Sequence, residues 1–143
     1  MSQDIEARDI NLIFMGRMVE RYIGEKGLER LIETKHENLR ENWADIGSER
    51  ETKEPEYLLR LFTDEVHEYE VVQNKSDCLE VIVTECRHAQ IFKNYNAADL
   101  GEKLICSSDF AVVEGYNPDM VLERPDTCMT GECCHFKFTL PSE

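Results

Sequence analysis

The sequence predicts an α+β fold of two layers, with helices laid over a four-stranded antiparallel sheet made of two hairpins. Three observations carry that expectation. Residues 1–62 repeat apolar side chains at helical intervals, the period changes to strand alternation after Val66, and the chain closes on Cys134, Phe136 and Phe138, each two residues from the next. The order is helices, hairpin, helices, hairpin. At 143 residues this fits a single domain spanning 1–143, with a helical half over 1–62 and a mixed half over 63–143.

Each element has its own signal. Ile5, Ile10, Ile13, Met18 and Ile23 predict a first helix ending at Gly24, and Leu28, Leu31, Ile32, Leu39, Trp43 and Ile46 predict a second ending at Gly47. Glu49 to Pro55 is charged and aperiodic, hence a connection, and Glu56 to Phe62 forms one more short helix. Val66 to Gln73 and Cys78 to Thr84 are β-rich and flank the turn material Asn74-Lys75-Ser76-Asp77. From His88 the helical period returns through Ile91, Phe92 and Tyr95, then Leu100, Leu104, Ile105, Phe110, Val112 and Val113, until Gly115 and Asn117-Pro118 stop it. The last hairpin joins Met120 to Thr127 with Cys133 to Leu140 through Thr130-Gly131-Glu132. In the returning strand Cys134 points inward with the phenylalanines, while Cys133, His135 and Lys137 take the opposite face.

Composition narrows the function. Thirty acidic against sixteen basic residues give a net charge of −14, which repels nucleic acid and anionic membranes, and no basic patch offsets it. No apolar run reaches the length of a membrane span and the first residues lack an export signal, so a cytoplasmic location is expected. There the six cysteines stay reduced and available for chemistry or metal. The stripes of the two N-terminal helices exceed what one small sheet can cover, which predicts either a symmetric homodimer or close packing of those helices on each other and on the sheet.

Five pieces of the second half form a recognisable series: Val81-Ile82-Val83-Thr84-Glu85-Cys86, Cys106-Ser107-Ser108-Asp109, Gly115-Tyr116-Asn117-Pro118, Arg124-Pro125-Asp126-Thr127, and Gly131-Glu132-Cys133-Cys134-His135-Phe136. In order and spacing this series resembles the L-2-amino-thiazoline-4-carboxylic acid hydrolase family over roughly residues 66 to 140. It is more distantly similar to 4-vinyl reductase small-molecule-binding domains. Two positions depart from the hydrolase pattern: Arg87 stands where the family usually has proline, and His135 where it often has aspartate. Both alter the charge beside a cysteine.

The resemblance implies a small hydrolase that opens a C–N or C–S bond of a cyclic, cysteine-derived small molecule. It raises Cys86, Cys106 and Cys134 above the ordinary reading of a cysteine as core packing, where Cys78 and Cys128 remain. Cys86 is the first choice of nucleophile, because Arg87 and His88 could lower its pKa. Asp109, one helical turn after Cys106, and Glu114 could hold the protonated ring nitrogens, and Arg124 could clamp a carboxylate through its planar fork. The alternative is a zinc ion held by Cys86, His88, Cys106 and Cys134 that acidifies a bound water. The cluster Cys128-x4-Cys133-Cys134-His135 is a weak zinc knuckle, since neighbouring strand residues face opposite sides. A non-enzymatic domain binding a small molecule or metal is the competing function.

Overall fold

A computed structural model describes residues 2–141, and its architecture is the predicted α+β one: five helices and a four-stranded antiparallel sheet. Helix α1 (Ser2–Ile23) meets α2 (Glu25–Ser48) at Gly24, whose φ of 89° is a left-handed conformation that a side chain would strain. A short 3-10 helix at Pro55–Leu61 leads to β1 (His67–Lys75) and β2 (Cys78–Cys86). Then come α3 (Arg87–Asn94), the single turn α4 (Ala98–Gly101), a π-helical segment Glu102–Cys106, and α5 (Ser108–Tyr116). Strands β3 (Val121–Glu123) and β4 (Cys134–Thr139) finish the sheet, ordered β1-β2-β4-β3.

The central strands face each other in a register that sorts their side chains. Leu79 lies opposite Phe138, Val81 opposite Phe136 and Val83 opposite Cys134, all on the inner face. Leu79, Val81, Val83 and Phe138 have no exposed surface. Burying each such side chain contributes roughly 1.5–3 kcal/mol, so this face dominates the sheet's stability. Glu80, Ile82, His135 and Lys137 alternate onto the outer face, which stays partly open. Helix α2 packs against α5, and Gly115 permits the approach: a Cβ there would lie 2.4 Å from the Arg40 carbonyl oxygen.

Three expectations need correction. The turn of the first hairpin is tighter than Asn74 to Asp77, because Asn74 and Lys75 stay in the ladder opposite Leu79 and Cys78. The helical stretch after Leu100 is broken into α4, the π segment and α5. The strand expected over 120–127 stops at Glu123: Pro125 has no N–H for a ladder, and the Cys128 N–H is spent on the Cys134 sulfur, 3.0 Å away. Residues 124–133 are therefore a loop, turned at its tip by a bond from the Gly131 N–H to the Thr127 carbonyl.

Candidate active site

Three chain segments that are remote in sequence deliver sulfur to one place. Cys86 is the last residue of β2, Cys106 closes the π segment and Cys134 opens β4. All three line a cavity of about 150 Å³ together with Asp109, Arg124 and His88. Leu61, Phe62, Ile105 and Phe136 supply its apolar wall. A cavity of that size holds about one benzene-sized ring, so the site suits a small cyclic molecule rather than a polymer.

The electrostatics are set by burial. Burial pushes the Cys86 thiol up to about 11, although the amides of Ala89 and His88 pull it back. Burial raises Cys106 further, with Glu102 adding to the effect, and raises Cys134, which the Cys128 N–H partly offsets. The resting thiols are thus protonated. Burial also lifts Asp109 to about 6 against the pull of Arg124, although the carboxylate keeps 26% of its side-chain surface open. Arg124 is 4% exposed and donates from Nη1 to Asp109 at 2.7 Å and to the Cys106 carbonyl at 2.5 Å, while Nη2 reaches Glu102 at 3.5 Å. Its guanidinium sits 5.0 Å from the Phe110 ring centre, and its Nε–H is buried without a partner.

A family model of L-2-amino-thiazoline-4-carboxylic acid hydrolases matches residues 14–138. The chain belongs to that family. The match begins inside α1, so the helical half shares in the hydrolase pattern as well as the mixed half. A search of curated proteins and a search of solved structures each return no significant match.

The chain places one expected group elsewhere. Glu114 lies five residues beyond Asp109, about 140° around a helix; its side chain is 61% exposed and reaches Arg40 at 3.4 Å instead of the cavity. The zinc set is not assembled either. Among the described residues no group of three or more His, Cys, Asp or Glu side chains is placed to hold a metal ion. His88 Nδ1 is bound to Asp9, and the Cys134 sulfur accepts the Cys128 N–H.

Four residues were not legible as site residues. His67 lines the cavity, takes the Thr63 N–H on Nδ1 at 3.3 Å, and is pushed down to about 4, chiefly by burial. Cys128, assigned to packing, braces Cys134 through its N–H and donates its thiol to the Val83 carbonyl at 3.5 Å. Lys35 of α2 donates to the Leu104 carbonyl; burial lowers it while Asp109 and Asp9 pull it up. Asp9 of α1 is 4% exposed and meets His88 Nδ1 at 2.6 Å. For Asp9 a signal existed: it sits four residues from both Ile5 and Ile13, a carboxylate in the middle of a buried stripe.

Proposed function

We propose that the cavity hydrolyses a small cyclic amidine-like compound carrying a carboxylate, an aminothiazoline carboxylate or close relative, by attack of the Cys86 thiol. The convergence of Cys86, Cys106 and Cys134 on one ring-sized cavity in a member of this hydrolase family carries the reading. The sulfur of Cys86 bonds to the ring carbon that holds two nitrogens and one sulfur, and the thiol proton passes to a base. The ring carbon–sulfur bond then breaks, and the departing sulfur takes a proton. Water adds to the enzyme-bound carbon and displaces Cys86, leaving a carbamoyl-cysteine. Asp109 holds the ring nitrogens and the Arg124 guanidinium in the cavity wall attracts the carboxylate. Because the chemistry needs free thiols, its compartment is the cytoplasm, and all six cysteines are free.

Incubation with aminothiazoline carboxylate should release a free thiol and a carbamoyl product, and Cys86→Ser should stop both. Full turnover by Cys86→Ser would end the covalent mechanism. The binding-domain reading draws on the protonated resting thiols, which a pocket without catalysis would also show; it predicts ligand binding without product. The hydrolase further pairs with a second copy through α1, where Phe14, Met15, Met18, Tyr22 and Ile23 are 56–69% exposed. A net charge of −14 turns this stripe away from anionic lipid, and a two-fold axis lets one patch cover itself. A monomeric mass in light scattering would refute the pairing.

A further inference from the structure

A thiol held protonated by burial attacks only if a base stands ready to take its proton. The cavity offers two histidines. His67 is a poor base, since burial keeps it neutral and weakly basic and its Nδ1 already accepts the Thr63 N–H. His88 differs. It is the second residue of α3, two positions after Cys86, and its Nδ1 is bound to Asp9 at 2.6 Å across a sequence separation of 79 residues. The carboxylate accepts, so the proton sits on Nδ1 and the lone pair falls on Nε2. Asp9 is 4% exposed in the apolar stripe of α1, and a carboxylate so placed needs a partner to offset its lost hydration. Asp9 also precedes the family match, which starts at residue 14.

We propose that Asp9 and His88 form the base dyad of this cavity, His88 taking the Cys86 proton on Nε2 and Asp9 acting as the positioning residue that fixes its tautomer and direction. This rests on the thiol chemistry proposed above. The sulfur gains the electron pair of its S–H bond, the proton moves to Nε2, and the resulting imidazolium is stabilised by the Asp9 carboxylate; the same proton returns to the departing ring sulfur. Other titratable groups face the dyad: His67 from β1 and Asp109 from α5 towards His88, and Lys35 from α2 towards Asp9, while Arg87 beside His88 pairs with Glu6 of α1 at 3.9 Å. Cys134 also acts on the Cys86 thiol.

The test measures the alkylation rate of Cys86 by iodoacetamide against pH, with the modified peptide identified by mass spectrometry, so that it needs no substrate. The wild-type profile should show an arm below the thiol's own titration. His88→Gln should abolish that arm and slow alkylation about 100-fold at neutral pH. Asp9→Asn should weaken it about tenfold, and Asp9→Glu should restore it in part, which a merely structural contact would not do. An unchanged profile in His88→Gln or in folded Asp9→Asn overturns the dyad. If Asp9→Asn does not fold, the His88→Gln and Asp9→Glu profiles decide. Should the arm be present while aminothiazoline carboxylate is left intact, the dyad stands and the substrate reading falls; should turnover survive with no arm, the reverse holds.

Discussion

Two histidine–carboxylate pairs of equal length flank the sheet. His88 meets Asp9 at 2.6 Å on the inner side and His135 meets Glu80 at 2.6 Å on the outer face. The inner pair is 22% and 5% exposed, the outer 37% and 19%. The inner histidine lines a cavity that thiols also line, whereas the outer pair is a cross-strand contact beside Lys137. An identical hydrogen bond therefore means different things: where solvent competes it adds little, and where solvent is excluded it can set the protonation of a neighbour.

The largest separation should be in turnover. His88→Gln should lower kcat/KM on an aminothiazoline carboxylate by about 10²–10⁴-fold, and His135→Gln should leave it within about twofold; equal losses in steady-state assays would erase the distinction between the two faces. Next comes stability along β4. Phe138→Ala should cost about 3–5 kcal/mol in urea unfolding through lost burial and a cavity, against less than about 0.5 kcal/mol for the outer Lys137→Ala. A normal midpoint for Phe138→Ala would move the core off the inner face.

A smaller effect should appear on acidification. His67 has a folded value of about 4 against an ordinary 6.5, so the stability it contributes is full above about 6.5 and is lost as pH falls towards 4. Asp109 has a folded value of about 6 against 3.8, so its contribution is full below 3.8 and is lost as pH rises through 6. The two oppose each other in the window between. Removing Asp109 (D109N) should make the melting temperature fall more steeply with acid, and removing His67 (H67Q) should flatten it; matching slopes for the two variants would contradict these environments. Smallest of all, Glu80→Gln should cost about 0–1 kcal/mol and less at high salt, as for any half-exposed pair.

The line between what is legible in the sequence and what is hidden in it runs between local and distant contacts. Local signals were readable: the change of period at Val66, the stops at Gly24 and Gly47, the alternation that turns Cys134 inward. So were six of the cavity's residues, because Cys86, His88, Cys106, Asp109, Arg124 and Cys134 sit in or beside family-like runs. Contacts between distant elements were not. Asp9 becomes meaningful only when α1 is laid on α3, and Cys128 only when a loop N–H turns to a sulfur. Glu114 failed for a simpler reason, since helical rotation carried it to solvent. Pro125 could have warned that β3 would be short, because it cannot join a ladder.

The π segment at Glu102–Cys106 amounts to one residue more than an α-helix needs for the same path. Closing the bulge into regular α-helix with no residue lost would rotate α5 by about 100° relative to α4, whereas removing one residue would close it with α5 still in phase. In the first case Asp109 would turn away from Arg124, though every side chain of the site were still encoded. The meeting of Asp109 with Arg124 thus depends on the backbone path of residues 102–106, a determinant of the cavity that no side chain carries.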